Sequence, residues 1–140
     1  MQDAAPPRER AAAWGAQGEW GAALACAQAA LANAPQDPEL HHEVATYAAR
    51  LGLSDQAVRH FRLATLGAGG GRLGSLLSMA TFLPAAPSAD LPALLAARRR
   101  MTAALAARWP EIAELAPARS RRASGRLRIG YLSAHFGWAP

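Results

Sequence analysis

The side chains able to do chemistry fall in two places along the 140 residues. In the first, Glu39, His42, Glu43, Thr46 and Arg50 recur at spacings of three and four, with His42 and Glu43 adjacent. That spacing stacks them on one face of a helix. Such a set can read a polypeptide laid across it by hydrogen bonds and charge, or it can be a hydrated helix surface. In the second place, His135 follows a short apolar run. Histidine is the side chain best suited to move protons near neutral pH. His41 falls at an inward, apolar position of its helix and is expected to pack, while His60 is expected at the surface. Cys26 is the single cysteine, so no disulfide can form within the chain and no cysteine-rich metal site can be built. It lies in an alanine-rich run and reads as a small helix residue. Residues 67–71, Gly-Ala-Gly-Gly-Gly, are not followed by Gly-Lys-Ser/Thr and have no strand before them. They therefore read as a loop rather than a phosphate cradle.

The elements that must position these groups are helical. Half of the chain is hydrophobic, and much of that is alanine. Alanine is the best helix former because it loses no side-chain freedom on ordering. It buries little area, so helices must touch closely. All 15 basic residues are Arg. Residues 1–97 carry 6 Arg against 8 acids, a net −2, and residues 98–140 carry 9 Arg against 2 acids, a net +7. That asymmetry marks a boundary near residue 98. No aromatic stacking platform accompanies the basic stretch, so nucleic acid is not an expected partner. The first ten residues hold no apolar core of a signal peptide, and no long apolar run suggests a membrane span. The cytoplasm is the expected compartment.

An internal repeat organises the first half. At an offset of 34 residues Gly18 falls on Gly52, Ala11 on Ala45, Trp14 on Ala48, Ala23 on Ala57, Ala27 on Phe61 and Ala30 on Ala64. Small residues recur where two helices must cross, and a glycine recurs where the chain turns between them. In the second copy Asp37 can cap a helix that Pro38 opens. Leu40, Val44, Tyr47, Ala48 and Leu51 recur at helical spacing, and Gly52 ends the run. Ser54 is placed to cap the next helix, with Ala57, Val58, Phe61, Ala64 and Thr65 on its stripe. The first copy is partial, because Pro6 and Pro7 sit where its first helix should begin. The pattern resembles the tetratricopeptide repeat, with Ala45, Ala57 and Ala64 at the crossings and Phe61 as the packed aromatic. Solenoids of this type need about three stacked repeats to be stable alone.

Beyond residue 72 a short helix is expected over Leu73 to Leu83, with Leu73, Leu76, Leu77, Ala80 and Leu83 on one face. Asp90 is placed to cap a long helix through Leu91, Leu94, Leu95, Met101, Leu105 and Trp109, stopped by Pro110. Its Arg98, Arg99 and Arg100 read as a solvated cluster. Residues 116–125 are poor in large apolar residues and read as a flexible connector. Leu127, Ile129, Tyr131 and Leu132 then form a run rich in strand-forming residues. One parallel strand cannot satisfy its own hydrogen bonds, so it is expected to open a larger α/β unit.

The residues from Arg126 to Pro140, Arg-Leu-Arg-Ile-Gly-Tyr-Leu-Ser-Ala-His-Phe-Gly-Trp-Ala-Pro, resemble the opening of the catalytic region of O-linked N-acetylglucosamine transferases, including Spindly-like and bacterial tetratricopeptide members. That opening reads Leu-Arg-Ile-Gly-Tyr-(Val/Leu)-Ser-x-Asp-Phe-x-x-His-Pro, so Leu127 to Ser133, Phe136 and Pro140 match. The family's Asp falls on His135 and its His on Ala139. Ala139 can do no proton chemistry, and His135 is either a displaced substitute or a loop-packing residue. Serine and leucines at 75–77 and Ala97-Arg98-Arg99 also look like the segment preceding that catalytic region.

The resemblance implies a division into repeats at 4–71, linker helices at 72–115, a connector at 116–125 and the start of a truncated glycosyltransferase domain at 126–140. The implied fold is mostly α: an α-solenoid of helical hairpins, then linker helices, then the first β-strand. The implied activity is transfer of N-acetylglucosamine from its UDP conjugate to Ser or Thr of a protein. The nucleotide-sugar site lies downstream in such enzymes, so residues 1–140 alone are expected to be inactive and to hold no cofactor or metal. The asparagine ladder of the animal enzymes falls on Glu9 and Glu43, which accept hydrogen bonds without donating them. The expected partner is a protein or peptide on the Glu39, His42, Glu43, Thr46 and Arg50 face. The same resemblance admits a plain repeat module that binds proteins without catalysis.

Overall fold

A computed structural model describes residues 5–66 and 73–111. Among them the chain is mostly helical, with six α-helices and no strand: α1 (Pro7–Ala16), α2 (Trp20–Asn33), α3 (Pro38–Arg50), α4 (Ser54–Ala64), α5 (Leu73–Phe82) and α6 (Leu91–Arg108). A 3-10 turn, Leu83–Ala85, follows α5. Each helix packs against the next in order. The three-residue links after α1 and α3 leave their helices no choice but to fold back antiparallel.

The two glycine turns of the 34-residue period match bond for bond. Gly18 and Gly52 both adopt positive φ, +80° and +74°. Beyond each glycine the next N–H reaches back to the carbonyl five residues earlier: Glu19 N–H to Trp14 at 3.0 Å, Leu53 N–H to Ala48 at 2.9 Å. The glycine N–H itself bonds three residues back, to Gly15 and to Ala49, both at 3.1 Å. This pair of bonds closes a helix with a left-handed residue, and glycine adopts that conformation without a Cβ clash. Glu19 and Leu53 then share φ −81° and ψ 65° and start the following helices. Ser54 is consequently the first residue of α4, not its cap; its hydroxyl lies 3.5 Å from the Gly52 carbonyl and caps no N–H. The expectation for Ser54 is corrected because the glycine turn, rather than a side chain, sets where α4 begins.

Asp37 and Asp90 cap as expected. The Asp37 carboxylate accepts from the N–H of Glu39 at 2.8 Å, and that of Asp90 from Ala93 at 2.7 Å. A carboxylate there satisfies N–H groups that have no partner within the helix and faces the positive helix end. α1 has no side-chain cap, begins at Pro7 and runs 10 residues against 13 for α3. The paired prolines remove its first turn.

The core runs through all six helices. Ala11, Ala23, Ala27, Ala45, Ala48 and Ala57 are wholly buried, together with Val44 and Phe61. These are the crossing positions of the repeat, where a methyl group lets backbones approach closely. α5 and α6 extend the same stack: Leu76, Met79, Leu83 and Ala97 belong to this core. The α6 stripe differs from the expected one. Ala97 is its buried residue, flanked by Ala93, Leu94 and Ala104, while Leu91 and Leu95 are exposed. The small-residue side is the one that fits against α5, which turns the leucines at 91 and 95 outward. On α5, Ser75 and Met79 are buried in addition to Leu76 and Ala80, as is Leu83 in the turn after it, whereas Leu77 is exposed. The expected strand at 127–132, the connector at 116–125, the glycine run at 67–71, His135 and Ala139 lie outside the described residues.

Candidate functional site

The five polar residues of α3 are divided among three tasks. Glu43 is spoken for by α1: Arg8 donates to Glu43 Oε1 from Nε at 2.9 Å and from Nη2 at 2.6 Å. The bonded carboxylate raises the guanidinium pKa above its ordinary value. His42 is spoken for by α5. Its Nδ1 is 2.8 Å from Ser75 Oγ, and its ring sits 5.5 Å from that of Phe61. Burial lowers the His42 pKa, against a smaller opposing pull from Glu43. The hydroxyl and ring therefore meet in their neutral forms. Ser75 is wholly buried and the contact uses Nδ1. A serine out of reach of any substrate cannot serve as a nucleophile, so this pair is a strut between α3 and α5. Glu39 lies in the first turn of α3 and is half-buried.

Thr46 and Arg50 face a groove. It has a volume of about 530 Å³ and is lined by Thr46, Ala49 and Arg50 of α3, Phe61 of α4, and Ser78 and Phe82 of α5. The Phe61 and Phe82 rings stack at 5.9 Å between centroids, 13° from parallel, and form its apolar side. Thr46 donates its hydroxyl hydrogen to the His42 carbonyl at 2.8 Å, which leaves the oxygen able to accept. The Arg50 guanidinium lies 5.4 Å from the centre of the Trp20 ring. Trp20 in turn stacks on Tyr47 at 6.4 Å. A cation over an indole face is held by the ring quadrupole, which leaves its N–H edge free. Tyr47 packs so closely on α1 that a Cβ at Gly15 would lie 2.9 Å from its ring. Burial, then Glu43, raises the Tyr47 pKa, so it stays a neutral phenol.

A second histidine contact lies between α3 and α4. His41 is buried as expected, but His60 is half-buried rather than on the surface. Their Nδ1 atoms are 2.9 Å apart, and His41 Nε2 is 3.1 Å from the Pro35 carbonyl. A carbonyl only accepts, so His41 carries a hydrogen on Nε2; with His41 neutral, its Nδ1 accepts from His60 Nδ1. Desolvation, then the neighbouring His41 and Arg59, lowers the His60 pKa to about 4. The expectation of a surface His60 is corrected: the ring is held inward by its bond to His41.

The groove thus joins Thr46 and Arg50 from the expected set. Ser78 and Phe82 were missed; their spacing of four on α5 was the available signal, obscured by the leucines of the same helix. Cys26 is free and half-buried on α2. No group of three or more His, Cys, Asp or Glu converges on one point among the described residues. None of the described helices is long and apolar enough to cross a membrane. Comparison of the chain with protein-family models, with curated proteins and with solved structures finds no significant match.

Proposed function

We propose that residues 5–111 are a partner-binding scaffold of tetratricopeptide type, whose α3–α5 groove holds a segment of another protein. The observation that carries the reading is the groove itself: an apolar aromatic side, two hydroxyls and a cation, between helices that repeat every 34 residues. Stacked helical hairpins offer such grooves to polypeptides without any chemistry of their own. Titration of the chain with synthetic peptides, read by fluorescence anisotropy, tests it. Saturable binding that is lost on Ser78→Leu, which fills the groove, is expected; binding untouched by that substitution would place the partner elsewhere.

A second reading builds on the first. The match of Leu127 to Ser133, Phe136 and Pro140 to the opening of O-linked N-acetylglucosamine transferases favours a scaffold that presents acceptor proteins to a glycosyltransferase. The donor would be UDP-N-acetylglucosamine, and its diphosphate would be held by residues beyond those described. The departures at His135 and Ala139 leave the family's histidine without a counterpart in place. Two measurements bear on it. The 140-residue chain should give no saturable heat with UDP in calorimetry. The reading frame after Pro140 should carry two α/β lobes of about 150 residues each; unrelated sequence there would remove the enzymatic reading and leave the scaffold.

A further inference from the structure

The groove between α3, α4 and α5 has a charge and shape that narrow what can occupy it. Arg50 is the one cation in its lining. Among the described residues Arg50 makes no ion pair: Glu43 of the same face is paired with Arg8, and Arg50 rests on Trp20. The Arg50 side chain lines the groove while its guanidinium, held over the Trp20 ring, has no counter-charge among the described residues. Ser78 on the facing helix can donate or accept, and Thr46 can accept. Phe82 offers an apolar wall, backed by the buried Phe61 ring on which it stacks.

We infer that the groove takes an extended acidic–apolar segment of a partner protein, with an aspartate or glutamate pairing with Arg50 and an apolar side chain against Phe82. The inference rests on the partner-binding reading above and gives its chemical class. A single guanidinium suits a carboxylate, which it can hold through two parallel bonds. A nucleic acid backbone instead needs several cations in a row. The Arg98, Arg99 and Arg100 cluster does not supply them here, for those residues are on α6, and Arg100 reaches Thr65 instead at 3.4 Å. The hydroxyls of Thr46 and Ser78 suit the alternating N–H and C=O groups of an extended chain. The occupant is thus a peptide with one negative charge near one apolar side chain.

The test is an array of acetylated nonapeptides, each with a central leucine and with glutamate, aspartate, glutamine, lysine or phosphoserine one to three positions after it. The probe is the full chain. Acidic peptides should bind about five-fold tighter than their glutamine counterparts, the range of a solvent-exposed ion pair. Arg50→Glu should reverse the order and prefer the lysine peptides, with unchanged far-ultraviolet circular dichroism. Replacing the central leucine by alanine should weaken binding in both proteins. Peptides that bind the wild type and Arg50→Glu alike would overturn the inference while leaving the scaffold reading intact. Preference for phosphoserine by more than about ten-fold over glutamate would overturn the choice of a carboxylate. Failure of the wild type to bind any peptide would overturn both.

Discussion

The hairpins α1–α2 and α3–α4 are closed by the same turn and yet held by different means. Gly18 and Gly52 have nearly the same φ, and the residues after them have the same φ and ψ. What differs is the material between the helices. The second hairpin has Phe61 where the first has Ala27, a carboxylate cap where the first has Pro6, and a histidine pair that the first lacks. The lesson is that the turn sets the geometry while the side chains set how firmly it is kept. Backbone conformation at one glycine costs little area; stability comes from what the crossing helices bury.

That contrast can be broken in order of expected size. Phe61→Ala should cost about 3–5 kcal/mol by leaving a cavity against Phe82 and His42, whereas Ala27→Gly should cost about 1 kcal/mol; urea midpoints compare them. If the two losses were equal, the hairpins would not differ as described. Overpacking comes next. Ala57→Leu and Ala23→Leu should each destabilise by about 1–3 kcal/mol, because both methyl groups are wholly buried. An unchanged thermal midpoint for either would deny that its helices cross at that residue.

Acid should act on the second hairpin through His42 and His60, whose pKa values are both lowered by burial. The His60 pKa is about 4 in the folded chain against an ordinary value of 6.5. The unfolded chain therefore takes up this proton first, and the stabilising contribution of neutral His60 is complete above pH 6.5. It is lost as pH falls from there towards 4. The ring is half-buried, so water screens part of the effect. His60→Asn should flatten a plot of unfolding free energy against pH within that window. A plot of equal slope in the variant would show that His60 is not the group responsible.

Three smaller effects concern the ends of helices. Asp37→Ala should cost about 1 kcal/mol through loss of the α3 cap, readable as a drop in thermal midpoint. Gly21→Ala should raise stability by about 0.5–1 kcal/mol. That glycine lies in α2 with nothing within 4 Å of where a Cβ would be. Gly52→Ala should do the reverse, since its φ of +74° strains any residue with a Cβ.

Much of the helical order was legible before any coordinates. The glycine period, the caps at Asp37 and Asp90, and the crossing alanines all carry local signals, because each depends on neighbours within one turn or on a repeat of 34. The side of α6 that packs was not legible. Leucine spacing pointed to Leu91 and Leu95, but the fit against α5 is decided by closeness of approach, which favours Ala97. The groove was half legible. Thr46 and Arg50 share a helix face, a matter of spacing alone. That His42 and Glu43 would be drawn off by Ser75 and Arg8 depends on partners 33 and 35 residues away. His60 was misplaced for the same reason, since its partner His41 is on another helix.

The stack of Arg50 on Trp20 on Tyr47 gives the chain a built-in optical gauge. Indole emission responds to a cation held over its face and to the ring beside it, and both contacts meet at Trp20. Whatever draws the guanidinium towards the groove must loosen its hold on that ring. Occupancy would then be readable as a change of light from the protein itself, with no label attached to either molecule.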